Sequence, residues 1–210
     1  MQTIKGILFE PVGCLAEFPA DPFLEIAARL SGRKKQSSKS GSRAYWHLLN
    51  LMDATREPVD EALEIEAVER ASLYEDVIPA LAELKAMDIQ LIIASSLACG
   101  AIERFLQKNC LRPYFSAIWS RDNANGIKAA PLRNALAAAC LPPERAMFLT
   151  DTAEGLKVAR SVGVNAILMM NDPDESRRLA MQNPTGGIVS LHELPDFIRL
   201  VRAASRKTSA

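Results

Sequence analysis

Short apolar runs alternate with longer amphipathic ones along this chain. The strand-length runs are residues 4–9 (IKGILF), 89–95 (IQLIIAS), 117–120 (AIWS), 146–150 (AMFLT), 165–170 (NAILMM) and 187–190 (GIVS). They are mostly continuous in apolar character, as expected of strands covered on both faces. Between them, apolar residues recur at helical spacing. One stripe is Val77, Ile78, Leu81, Leu84 and Met87; another is Ile102, Phe105 and Leu106. Leu132, Leu136 and Ala139 form a third, and Leu156, Val158 and Ala159 a fourth that Gly163 closes. A last helix is predicted over 191–204, with Phe197, Ile198, Leu200 and Val201 apolar. Strand followed by helix, repeated, predicts a parallel sheet with helices on both faces.

Residues 18–73 break that rhythm and offer no strand. Phe23, Leu24, Ile26, Ala27 and Leu30 predict one helix, and Tyr45, Trp46, Leu48, Leu49 and Met52 a second. Leu63, Ile65, Val68 and Ala71 predict a third. The expected organisation is therefore a core of 1–17 and 74–210 with a helical insertion, 18–73, after the first strand. The stretch 31–42 (SGRKKQSSKSGS) is polar and cationic, and reads as a mobile loop; the tail 203–210 reads as a fraying end.

Composition narrows the function classes. At 210 residues the chain can bury a core of useful size. A formal net charge of zero leaves no electrostatic footprint for nucleic acid or an anionic membrane. No apolar stretch approaches the ~18–20 residues of a membrane span, and the start lacks a secretory h-region. Cys14, Cys99, Cys110 and Cys140 are widely spaced, and there are two histidines, which argues against zinc. The cysteines read as buried free thiols and the protein as cytoplasmic.

In an open α/β sheet, ligands sit beyond the carboxyl ends of the strands. The first strand ends at Glu10, with Gly13 and Cys14 in the turn; the second ends at Ser95 and Ser96; the fourth at Thr150, Asp151 and Thr152. Lys128 lies in a loop before a helix. A divalent cation between Glu10 and Asp151, with a phosphate held by turn amides, Ser95 and Lys128, is a coherent site. Simpler readings stand beside it. Asp151 and Glu154 form a D-x-x-E capping box, Ser95 can cap a helix beginning near Ala98, and Lys128 can be a solvated loop lysine.

These motifs, in this order, resemble those of the haloacid dehalogenase-like (HAD) hydrolase superfamily, in its phosphoglycolate phosphatase and β-phosphoglucomutase type. The family's first motif, hhhDxDGT, stands here as ILF-Glu10-P-Val12-Gly13-Cys14. The second, an apolar strand ending in Ser or Thr, is LIIA-Ser95-Ser96; the third is Lys128-A-A-Pro131; the fourth is FLT-Asp151-TAEG. The resemblance implies an α/β fold, a Rossmannoid parallel sheet with a small inserted helical cap. It implies phosphatase-type, Mg²⁺-dependent hydrolysis of a small phosphorylated metabolite. By position, Glu10 stands for the nucleophile and Val12 for the lost acid/base. Gly13, Cys14, Ser95, Ser96 and Lys128 stand for the phosphate-binding set. Glu10, Asp151 and the carbonyl of Val12 stand for the metal ligands.

Both departures fall in the first motif. Valine transfers no protons, a function commonly worth ~10² to 10⁴ in rate. Glutamate carries its carboxylate one methylene further out, and a misplacement of ~1 Å can cost ~10²-fold. The expectation is weak or lost turnover with a retained Mg²⁺/phosphate pocket. An active hydrolase using Glu10, and a non-catalytic binding or structural subunit, are the alternatives.

Overall fold

A computed structural model describes residues 3–34, 37–57, 59–171, 177 and 179–207, with side chains to residue 204. Part of the cationic loop (residues 35 and 36) and the end of the tail (208–210) lie outside them.

The sheet has the order β5-β4-β1-β6-β7-β8, and every pairing in it is parallel. Its strands are β1 (Gly6–Phe9), β4 (Gln90–Ala94), β5 (Ala117–Trp119), β6 (Ala146–Thr150), β7 (Asn165–Met169) and β8 (Gly186–Ile188). β1 lies between β4 and β6, with Phe9 paired to Ile93 on one side and Leu149 on the other. The chain runs outward from β1 through β4 to β5, then returns to β6 on the opposite side. Ligand crevices form at such a reversal, beyond the strand ends. Glu10 and Asp151, which directly follow β1 and β6, therefore flank it.

The unbroken apolar character of β1 follows from burial on both faces. Ile7 and Phe9 pack into one cluster with α4 (Val77–Ala86), α5 (Cys99–Lys108) and α8 (Glu193–Lys207). Leu8 points the other way, into a cluster with α6 (Ala129–Ala138) and α7 (Ala153–Val162). Successive strand side chains face opposite sides, so neither face tolerates a polar residue here.

Between β1 and α4 lie α1 (Ala20–Ser31), α2 (Gly41–Thr55) and α3 (Glu61–Arg70). Ser40 caps α2 by accepting from the Arg43 amide, and Asp60 caps α3 by accepting from the Ala62 amide. Phe23 of α1 and Tyr45 of α2 are in ring contact at 5.3 Å, and Phe18 meets Phe105 of core helix α5 at 5.6 Å. The insertion thus shares one apolar cluster with the sheet.

Several expectations need correction. A two-residue antiparallel ribbon, β2 (Ala16–Glu17) with β3 (Ser72–Leu73), joins the rims of the insertion where no strand was expected; two residues are too few to show a period. The last helix runs to Lys207 rather than ending at 204. Ile78 and Leu200, placed on core stripes, are exposed. On α3 the fully buried residues are Glu64, Ala67 and Val68, while Leu63 and Ile65 of the expected stripe pack half-buried against the core. Of the four thiols only Cys14 is buried; Cys110 and Cys140 follow α5 and α6 in left-handed backbone and are exposed. Among the described residues no helix is long and apolar enough to cross a membrane.

Candidate active site

Glu10 is held at the end of β1 by the turn that follows. The Leu15 amide donates to the Pro11 carbonyl at 3.1 Å, and the Gly13 amide donates to the Ala16 carbonyl at 2.9 Å. The Gly13 amide, expected to face an anion, is thus spent inside the turn. Gly13 has φ 78° and faces two side chains: a Cβ there would lie 2.0 Å from Asp151 Oδ2 and 2.1 Å from Ser42 Oγ. Only glycine meets both demands.

The Glu10 carboxyl is buried and bonded through both oxygens. Ser95 Oγ donates to Oε1 at 2.6 Å, and the Tyr45 hydroxyl donates to Oε2 at 3.4 Å. Tyr45 also lies 3.3 Å from Ser95 Oγ, and the Val12 amide stands 3.5 Å from Oε1. Tyr45 is 0% exposed. Burial pushes the Glu10 pKa up from 4.5 to about 8; the charge of Asp151 adds to this, and the bonds from Ser95, Val12 and Tyr45 oppose it. Glu10 is mostly protonated at neutral pH. The Cys14 thiol is likewise pushed up, chiefly by burial and then by Asp151 and Glu10, which removes it as a nucleophile.

Ser95 does not cap α5. Its hydroxyl serves Glu10 and accepts from the Leu97 amide at 3.2 Å, while the α5 N-cap, Ala98, has no side-chain bond. Nor is Asp151 a helix cap: Thr152 Oγ1 accepts from the Gly155 amide at 3.2 Å and caps α7 in its place. Gly155 lets that helix approach closely, since a Cβ there would lie 1.9 Å from Thr150 Oγ1. Asp151 is left at the crevice, next to Gly13.

Lys128 is not a freely solvated loop lysine. Its ammonium pairs with Asp53 of α2 at 2.9 Å, with 22% of the side chain exposed. Its amide donates to Ser96 Oγ at 2.7 Å, and its backbone holds φ 58°, a strained setting for a residue with a Cβ. Ser96 is thereby the joint between the end of β4 and the Lys128 loop.

Glu10, Ser95, Lys128 and Asp151 thus gather at one end of the sheet. A cavity of about 600 Å³ does open beside them, toward β7 and β8, lined by Gly13, Ser42, Tyr74, Asp151, Thr152 and Asn171 among others. Glu10, Ser95 and Lys128 are not in its lining. Tyr45 stands over the Glu10 side of the crevice. Sequence reasoning placed Tyr45 on an apolar stripe and stopped there. The signal that could have found it is its hydroxyl, since a buried tyrosine needs a partner.

Residues 31–169 match the model of the family described as haloacid dehalogenase-like hydrolase, so the chain belongs to that family. The match begins after β1 and the Glu10 turn. Solved structures share the fold. A haloacid dehalogenase-like family hydrolase from Streptococcus pneumoniae superposes with TM-score 0.70 at 16% identity, covering 94% of this chain and 99% of its own. A HAD phosphatase from Thermococcus onnurineus gives TM-score 0.64 at 19% identity over 93% and 98%. An L-2-haloacid dehalogenase from Xanthobacter autotrophicus gives 0.64 at 18% over 93% and 98%. No curated protein matches the chain.

The family's phosphatases generally use magnesium. Mg²⁺ takes carboxylate, carbonyl or water oxygens in near-ideal octahedral geometry. Both Glu10 oxygens are hydrogen-bonded within the protein, to Ser95 and to Tyr45, so a metal here would have to share or displace those partners. Among the described residues no group of three His, Cys, Asp or Glu side chains could hold a metal ion. The set expected from the sequence has two carboxylates and the Val12 carbonyl, and its Glu10 member is hydrogen-bonded to Ser95 and Tyr45 as folded.

Proposed function

We propose that this chain is a HAD-like hydrolase family protein in which turnover at the first motif is lost or very weak. The observation that carries this reading is the closed triad of Glu10, Ser95 and Tyr45. In-line attack needs an ionised, accessible carboxylate at the strand end. Here that carboxyl is buried, which pushes its pKa up to about 8, lengthened by a methylene, and covered by a phenol from α2. Val12 adds a second loss, because it supplies no proton. In this reading residues 18–73 are the cap and residues 1–17 and 74–210 the core. The phosphate seat expected at Ser95 is filled by Tyr45. A small phosphorylated metabolite is the class of ligand the family position suggests, and the open cavity beside Asp151 is where a ligand has room.

The test is an assay against p-nitrophenyl phosphate, small sugar phosphates and 2-haloacids, with and without Mg²⁺. The expected result is no saturable turnover above buffer. Saturable turnover that disappears in Glu10→Gln would establish the other reading, an active hydrolase using Glu10. That reading draws support from the Ser95–Glu10 bond and from Asp151 at the neighbouring strand end.

A further inference from the structure

The walls of the cavity beside Asp151 differ in character. One wall is the start of α2. Ser40 Oγ accepts from the Arg43 amide at 3.3 Å, and the Ser40 carbonyl accepts from the Ala44 amide at 3.1 Å. The first-turn amides of Gly41 and Ser42 are the ones left without helical acceptors. Both residues line the cavity, where the helix dipole favours negative charge. Ser42 is 7% exposed, and among the described residues its Oγ has no hydrogen-bond partner. A buried hydroxyl left without a bond is costly. This one faces Gly13, which lines the same cavity.

The opposite character stands next to it. A Cβ on Gly13 would meet both Asp151 Oδ2 and Ser42 Oγ, so a carboxylate and an unbonded hydroxyl are neighbours over one glycine. Asp76, also in the lining, is already engaged: its Oδ2 accepts from Ser190 Oγ and from the Leu191 amide, each at 2.5 Å, just before α8. Asp151 is therefore the acidic group placed to meet a ligand. The far wall is apolar. Leu179 is buried, Met170 half-buried, and Val189 exposed. The lining sets the carboxylates of Glu17, Asp76 and Asp151 against the cations of Lys39 and Arg43, a balance that disfavours a dianion.

We propose that this cavity binds a free α-amino acid with an apolar side chain. Such a molecule carries its carboxylate and its ammonium on one carbon, so it needs donors and an acceptor side by side. The Gly41 and Ser42 amides and the Ser42 hydroxyl take the carboxylate. Asp151 takes the ammonium, and the side chain lies against Met170, Leu179 and Val189. Glu10, Ser95 and Lys128 have no part in it. The inference rests on the functional reading above for the cavity as the place of a ligand, and not for the loss of turnover.

The experiment is isothermal titration calorimetry on the full chain with L-leucine and L-methionine. Isocaproate, which lacks the ammonium, isoamylamine, which lacks the carboxylate, and inorganic phosphate are the comparison probes. Both amino acids are expected to bind saturably, and each of the two analogues about tenfold or more weakly than leucine, since a charged hydrogen-bonding partner is lost. Ser42→Ala is expected to weaken leucine by about tenfold. Its melting temperature without ligand should equal or exceed that of wild type, because the change removes a buried hydroxyl that has no partner, so the variant folds and keeps the test decisive. Asp151→Asn should weaken leucine but not isocaproate. No saturable binding of either amino acid overturns the proposal. So does isocaproate binding as tightly as leucine, an unchanged leucine affinity in Ser42→Ala, or phosphate binding more tightly than leucine. Saturable hydrolysis of p-nitrophenyl phosphate by the wild-type protein would overturn the loss of turnover without altering these affinities.

Discussion

The hydroxyl of Tyr45 donates to Glu10 Oε2 across 3.4 Å, joining a helix of the insertion to the end of the central strand. The carboxyl therefore depends on the insertion for one of its three hydrogen bonds. The raised pKa of that carboxyl has a measurable consequence. Its folded pKa of about 8 lies above the ordinary 4.5, so the folded state binds this proton more tightly than the unfolded one. The stability Glu10 contributes is complete below the unfolded value and is lost as pH rises through the folded one. Without Mg²⁺, unfolding free energy should fall across that window by up to about 1.4 kcal/mol per pH unit. Glu10→Gln should flatten the slope. Chemical denaturation at pH 5, 6, 7 and 8 measures it, and parallel curves for the two proteins would contradict the protonated carboxyl.

Tyr45→Phe keeps the ring and removes the bonds to Glu10 and Ser95. The loss should be about 1–3 kcal/mol, because buried polar partners are left short of bonds. Tyr45→Ala also empties a packed space beside Phe23 and should cost about 3–5 kcal/mol. Urea midpoints distinguish the two; a Tyr45→Phe protein as stable as wild type would deny the hydroxyl its role.

Restoring the family's first motif should not be sufficient for activity. E10D/V12D returns a shorter carboxylate and a proton carrier, but Tyr45 still covers the strand end. The expected result with Mg²⁺ is no saturable p-nitrophenyl phosphate hydrolysis. Adding Tyr45→Ala should give a rise of about 10²-fold or more over E10D/V12D. Full activity in E10D/V12D alone would show that the phenol is no obstacle.

Gly13→Ala should be among the most damaging small changes. It combines a positive φ with overlap against Asp151 and Ser42. A cost above about 2 kcal/mol is expected. Thermal unfolding should register a drop of about 4–8 °C for a chain of this size.

The sheet was legible because its strands are covered on both faces, and continuous runs such as 146–150 have few other uses in a soluble chain. The placement of Glu10, Ser95 and Asp151 at strand ends followed from the same runs. The contacts that close the crevice were not legible. Glu61 and Glu64 belong to no motif in the sequence; their partners are the Ala101 and Ala98 amides more than thirty positions away. Lys128 showed its charge in the sequence, but not that Asp53 would claim it. Local pattern reports which face of an element is apolar. It does not report which distant carboxylate will satisfy a helix end.

The paired crossings at β2 and β3 bear on how such a chain can change. The Tyr74 amide donates to the Leu15 carbonyl at 3.1 Å, so the points where the chain departs from and rejoins the core are already neighbours. A short linker could bridge them with no other strand re-routed. The three helices are therefore a removable module in the topological sense: excision, duplication or exchange would leave the parallel sheet's connectivity as it is, and would decide only what stands above Glu10.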